Sequence, residues 1–201
     1  MQSIESKALS RIYGKKRGWV FTPAHFLDLG NSASINQALK VLCDRGSIRR
    51  LARGLYDYPR KHSKLGPLTP SPEAIAEALA GRDQIRIQPS GAYAANLLGL
   101  SLQVPAKRIF LTDGSNRTVN VGNQTITLKR TTPRNMATAG RISGLVIQAL
   151  RHLGQKNVHN EMLSKLAQRL SAEDREVLMR DIKLAPAWIT EIFRDLAEKK
   201  A

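Results

Sequence analysis

Apolar positions recur at helical spacing from the first residues of the chain. Ile4, Ala8, Leu9 and Ile12 fall on one face of a helix predicted from about Ser3 to Tyr13. Gly14 and the run Lys15, Lys16, Arg17 end it. Trp19-Val20-Phe21 is a short apolar, strand-like run. Thr22-Pro23 then opens a second helix, with Thr22 as N-cap and Pro23 where its missing N–H costs nothing. Phe26, Leu27 and Leu29 belong to it, and Gly30-Asn31 closes it. Ser32 or Ser34 is expected to cap a third helix ending near Asp44. Its buried stripe is Ile35, Leu39, Leu42 and Cys43, and its opposite face carries Asn36, Gln37 and Lys40. Ser47 to Leu51 and Leu55 to Tyr58 read as two strands around Ala52-Arg53-Gly54. Ile48 and Leu51 are expected to cover the core, with Arg49, Arg50 and Arg53 pointing outward.

The pattern changes after this hairpin. Residues 59–72, PRKHSKLGPLTPSP, read as a linker. Ser71-Pro72-Glu73 starts a helix through Ala80 with Gly81 as its stop, and Gln84 to Gln88 is a short alternating strand. Ser90 to Leu100 is a small-residue helix, and Lys107 to Thr112 a strand. Arg117 to Val121 and Gln124 to Arg130 alternate around Gly122-Asn123 as a hairpin. From Ala137 to Ala201 the spacing is helical. Leu145, Ala149 and Leu153 form one stripe, and Met162, Leu163, Leu166 and Leu170 another. Ser171 begins a new helix with Glu173-Asp174 in its first turn, and Pro186 breaks it before a last apolar face from Trp188 to Leu196. Three segments follow: 1–60, a linker at 61–72, and 73–201.

Charge gives this order a meaning. The formal net charge is +16, from 32 Lys+Arg and 16 Asp+Glu. Residues 1–64 hold 13 Lys/Arg against 4 Asp/Glu, residues 65–156 hold 11 against 4, and residues 157–201 hold 8 against 8. A surplus this large repels itself and is usually retained because a polyanion offsets it, and nucleic acid is the first such partner. A generally basic proteome is the bland alternative, but it does not account for the neutral C-terminal block.

Two short helices, a turn, a third helix and a basic hairpin are the order of a winged helix-turn-helix. In that fold the third helix enters the major groove. Asn36 and Gln37 can pair bidentately with adenine, Ser32 and Ser34 can reach bases or phosphate, and Lys40 suits phosphate or guanine. Arg49, Arg50 and Arg53 on the wing suit phosphate and the minor groove. Lys15 to Arg17 can touch phosphate, and the 59–72 segment can track the backbone. A plain polar helix face, or a helix-turn-helix used to bind protein, is the competing reading. Arg117, Lys129, Arg130 and Arg134 form a second basic cluster. It stays open as a phosphate-facing patch, a surface for an acidic partner, or a solvated edge that discourages strand pairing.

Enzyme chemistry finds no footing. His25, His62, His152 and His159 lack metal-ligand spacing, and no HExxH, P-loop or Rossmann glycine pattern is present. Ser90-Gly91 opens a helix after a strand, but no partner base can be named and a capping role suffices. Asp83 and Asp113 do not make a catalytic pair. Neither an enzyme, a metal nor a cofactor is therefore expected. Cys43 is the one cysteine, so no intramolecular disulfide forms, and it reads as a small core residue. The N-terminus lacks a signal-peptide core, and no apolar run approaches the roughly 18 residues of a membrane span. A soluble, cytoplasmic protein is expected.

Arg53-Gly54-Leu55-Tyr56 in the wing, the SGAYAANLLGL segment from Ser90, the VPAKRIFLT strand from Val104 and the Arg/Lys-bearing strand pair follow in order. Over roughly residues 1–135 this arrangement resembles the AbiEi-type antitoxins of type IV toxin–antitoxin systems. The resemblance implies an α+β fold: an N-terminal winged helix-turn-helix followed by a mixed α/β domain with a helical C-terminal tail. It implies binding to inverted repeats in double-stranded promoter DNA and repression of the chain's own operon. It also implies neutralisation of a nucleotidyltransferase-like toxin without a stable complex. The matching DNA reader is Ser32 to Lys40 with Arg49, Arg50 and Arg53. The alternative is a winged-helix regulator, or a module binding an acidic protein directly through the second cluster.

Overall fold

The computed structural model describes residues 3–198, a mixed α/β arrangement. The last three residues of the helical tail expected to reach Ala201 lie outside the described residues. The chain forms two compact units: residues 1–85 with 119–126, and residues 86–118 with 127–201. The first unit thus runs on past the expected linker and takes in residues 119–126 from the later hairpin. No helix among the described residues is long and apolar enough to cross a membrane.

In the first unit, α1 (Ile4–Gly14) is capped by Ser3, whose hydroxyl accepts the Ser6 N–H at 3.1 Å. Then come β1 (Val20–Phe21), α2 (Ser32–Asp44), β2 (Arg49–Ala52) and β3 (Leu55–Asp57). The three strands form one antiparallel sheet in the order β1-β3-β2. Ile12, Phe21, Phe26, Ile35, Leu39, Leu42 and Ile48 close the core between helices and sheet. Apolar burial at 35, 39 and 42 is the force that holds α2 in place, at roughly 1.5–3 kcal/mol per large side chain.

The second expected helix is shorter than its sequence suggests. Only Pro23–Phe26 is helical, as a single 3-10 turn. The His25 N–H donates to the Thr22 carbonyl at 3.1 Å, and the Thr22 N–H donates to His25 Nδ1 at 3.2 Å. These contacts three residues apart tighten the turn and leave no α-helical ladder to extend. The His25 ring meets Trp19 edge-on at 5.5 Å. Burial pushes its pKa below the ordinary 6.5, with Lys15 and Arg11 adding to that, while the Thr22 backbone bond pulls the other way.

The segment read as a linker contains structure of its own. β4 (Lys61–His62) pairs antiparallel with β5 (Gly66–Pro67). α3 (Pro72–Asp83) follows with Ser71 as N-cap and packs on β1. Gly81 does not stop α3, because its backbone stays out of the left-handed region and the Gln84 N–H donates to the Ala80 carbonyl beyond it. The helix ends instead at Gln84, left-handed at φ 51°.

The second unit starts with β6 (Ile87–Ser90), displaced from the expected 84–88 because Gln84 serves as the helix cap. α4 (Ala92–Leu97) is shorter than expected and begins after Gly91, which has φ 62°. β7 (Lys107–Thr112), β8 (Arg117–Val121) and β9 (Gln124–Arg130) fall on the expected residues, with residues 119–126 of the β8–β9 hairpin belonging to the first unit. The sheet order is β6-β7-β9-β8, with Ile87 to Ser90 antiparallel to Thr112 to Ile109. Helices α5 (Pro133–Met136), α6 (Ile142–Leu153), α7 (Asn160–Arg169), α8 (Ala172–Arg180) and α9 (Ala187–Glu198) complete it. α6 packs on α4 and β6, and Leu150, Leu166, Leu178, Ile189 and Phe193 fill the space between the helices. Ser171 and Asp174 form the expected capping box of α8.

Candidate nucleic-acid interface

The candidate surface is built on α2. With Ile35, Ala38, Leu39 and Leu42 buried, the 3.6-residue period turns Ser32, Asn36, Gln37 and Lys40 outward. All four are exposed, and their side chains have no protein partner among the described residues. The cap is Asn31, not Ser32 or Ser34. Its Oδ1 accepts the Ser34 N–H at 2.9 Å and the Ser34 hydroxyl at 3.0 Å. Ser34 is therefore half-buried and already engaged, while Ser32 stands free in the first turn.

α2 runs into β2 within a few residues, so the β2–β3 turn lies on the same unit as the helix. Arg50 is exposed and its Nε donates only a long bond, 3.4 Å, to the Ala52 carbonyl. Arg53 is exposed at the turn, followed by Gly54 at φ 70°, where a side chain would be strained. Neither arginine has a carboxylate partner among the described residues.

Arg49 does not point outward as expected. It sits directly opposite Asp57 in the β2–β3 register, which puts both side chains on one face of the sheet. Its Nε donates to Asp57 Oδ1 at 3.1 Å and its Nη2 to Asp57 Oδ2 at 2.7 Å. Nη2 also donates to the Leu68 carbonyl at 2.8 Å. Asp57 is only 1% exposed, and the paired carboxylate raises the arginine's pKa. A register shift between Arg50 and Ala52 breaks the simple alternation, so Leu51 is half-buried and Arg50 exposed. Arg49 thus ties the hairpin to the chain beyond it and is not a free cation.

The second cluster is only partly brought together. Arg117 and Lys129 line a shallow recess of about 260 Å³ with Asn116, Thr118, Thr127 and Leu128. Arg130 ends β9 and Arg134 lies in α5, both exposed and both outside that lining. Arg117 is half-buried.

A third set of cations lies on the segments 15–17 and 60–64. Lys15, Lys16, Arg17, Arg60, Lys61 and Lys64 are all exposed. The signal for it was the Lys-Lys-Arg run, but not its neighbours in the fold. Cys43 is half-buried against the first core, and burial raises its pKa. Among the described residues no group of His, Cys, Asp or Glu can hold a metal ion.

The model of a family described as DUF6088, of unknown function, matches residues 7–178. The chain belongs to the DUF6088 family. The match takes in every residue of the α2 surface, the β2–β3 turn and the second cluster, and stops before α9. No curated protein matches the chain.

Proposed function

We propose that the first unit of this DUF6088 member is a winged helix-turn-helix that binds duplex DNA, and that the chain is an antitoxin repressing its own operon. One observation carries the DNA reading. α2 presents Ser32, Asn36, Gln37 and Lys40 without protein partners, and the hairpin that follows holds Arg50 and Arg53 unpaired. The element order α1, β1, 3-10 turn, α2, β2, β3 and the sheet order β1-β3-β2 support it, being those of a winged helix. The net charge of +16 supports a polyanionic partner. In this reading α2 lies in the major groove and Arg50 and Arg53 grip the adjoining backbone. Arg49 shapes the wing without touching DNA.

The antitoxin half rests on the resemblance to AbiEi-type proteins. In it the second unit counteracts a nucleotidyltransferase-like toxin, and the promoter sites are inverted repeats. The exposed cations Lys129, Arg130 and Arg134 favour one further reading, direct binding of an acidic protein by the second unit.

The test is made in cells. DNA from upstream of the gene, fused to a reporter, is repressed several-fold when the chain is supplied in trans, and N36A/Q37A lifts that repression. Growth arrest caused by the adjacent gene product is relieved by the full chain. Unchanged reporter output removes the DNA half. Arrest that persists despite good expression of the chain removes the antitoxin half.

A further inference from the structure

We propose that the loop Lys15–Arg17 and the segment Arg60–Lys64 form a second phosphate-binding surface, one that holds the backbone of the duplex read by α2 and the wing. The inference rests on the DNA-binding reading above. The two segments lie more than 40 residues apart in sequence, and the first unit joins them. The Arg17 guanidinium Nη1 donates to the Pro59 carbonyl at 3.0 Å, and the Arg60 Nε to the Arg17 carbonyl at 3.5 Å. The Gly18 N–H donates to the Tyr58 carbonyl at 2.6 Å. Gly18 has φ 99°, and a Cβ there would strike the Arg60 side chain. The Arg60 stem therefore lies directly over the end of the Lys15–Arg17 loop.

The cations are presented on a fixed frame. Arg17 Cζ stands 4.5 Å from the centre of the Tyr58 ring, which itself lies 5.2 Å from Tyr13. An aromatic shelf of this kind holds the guanidinium plane while leaving its outer N–H groups to donate. Lys16 takes a left-handed φ of 66°, which turns the loop. In the β4–β5 turn, His62 Nδ1 accepts the N–H groups of Lys64 at 3.2 Å and Leu65 at 3.3 Å. That turn presents Lys61 and Lys64.

Six exposed cations lie on these two joined segments: Lys15, Lys16, Arg17, Arg60, Lys61 and Lys64. None has a carboxylate partner among the described residues, and Asp57 in the adjoining strand is held by Arg49. Such a concentration is unfavourable unless anions offset it. Its position favours duplex phosphates over an acidic protein. Arg53 precedes β3 and Arg60 follows it, so the wing cations and this set lie at opposite ends of the same strand. Seven residues at ~3.3 Å each bound their separation at about 23 Å. That reach spans a groove about 12 Å wide and touches backbone on both sides.

The experiment uses the full chain, a 30-base-pair duplex from upstream of the gene and a scrambled duplex of equal length, with affinities measured across a salt series. K15Q/K16Q/K61Q leaves the bonds of Arg17 and Arg60 in place. It lowers affinity for both duplexes about tenfold, leaves their ratio unchanged, and reduces the slope of log affinity against log salt by about 2–3. The charge-matched control K156Q/K165Q/K183Q leaves the slope as it was. The surface is overturned if the first triple behaves like the control while the parent chain binds. Tighter binding of a single-stranded RNA through these lysines overturns the duplex assignment. A parent chain that binds neither duplex fails at the DNA-binding reading itself, and the surface falls with it.

Discussion

R50A/R53A binds duplex DNA about ten- to a hundredfold more weakly than the parent chain, and weakens specific and scrambled duplexes alike. That loss is about 1.4–2.7 kcal/mol for the pair, the size expected of exposed charge contacts screened by solvent, and phosphate contacts carry no sequence information. The salt slope falls by about 1.8, one increment of roughly 0.9 for each phosphate released. Both arginines are exposed and make no ion pair among the described residues, so stability stays within about 0.5 kcal/mol of the parent. N36A/Q37A has the opposite signature. It brings the specific affinity down toward the scrambled value, because each bidentate amide–adenine pair supplies about 1–3 kcal/mol of discrimination. Fluorescence anisotropy of labelled duplexes separates the two patterns. If R50A/R53A binds as the parent does, the β2–β3 turn is not a wing on DNA.

The second large effect falls on stability. R49A removes both guanidinium bonds from the Asp57 carboxylate, which is 1% exposed, and one donor from the Leu68 carbonyl. Breaking a buried pair from one side leaves an uncompensated charge, at about 3–5 kcal/mol. Arg49 is itself about one-third exposed, and solvent screening reduces the expected loss to about 2–4 kcal/mol. Urea unfolding of the full chain in a W188F background, where Trp19 is the remaining tryptophan, reads it. R49L/D57L recovers most of the loss, because neither charge is then stranded. R49A unfolding at the parent's urea midpoint would show that the Arg49–Asp57 bridge does not hold the hairpin. The expected contrast among neighbouring arginines is loss of stability at position 49 and, on the proposed reading, loss of binding at positions 50 and 53.

Elements set by local periodicity were legible in the sequence. The stripe Ile35, Leu39, Leu42 fixes α2 through Asp44, and strict alternation fixes β8 and β9 to the residue. The Ser171–Asp174 box and Pro186 place the starts of α8 and α9 because their chemistry is local, but α8 ends at Arg180 and a 3-10 turn at Ile182–Leu184 precedes the break expected at Pro186. What depended on a partner distant in sequence was not legible. The face taken by Arg49 follows from its register with Asp57, and the bulge after Arg50 defeats simple alternation. The 3-10 turn at Pro23–Phe26 was missed for a different reason: the His25 side chain bonds back to Thr22 three residues away, a local polar contact that apolar spacing does not encode. The grouping of residues 119–126 with the first unit, and of Arg17 with Arg60, exists only after the chain has folded. For the candidate site, the exposure of Ser32, Asn36, Gln37 and Lys40 was readable from the apolar stripe, but the Asn31 cap that engages Ser34 was not. Of the three hairpin arginines, the exposure of Arg50 and Arg53 was legible and the pairing of Arg49 with Asp57 was not.

The central claim is that α2 reads duplex DNA. The most direct measurement is the ratio of affinities for the duplex upstream of the gene and for its scrambled counterpart, taken with the full chain at 50 and 200 mM salt. The expected ratio is about a thousandfold or more, with both affinities falling steeply as salt rises. A ratio near one, with Ser32, Asn36, Gln37 and Lys40 intact, would contradict it.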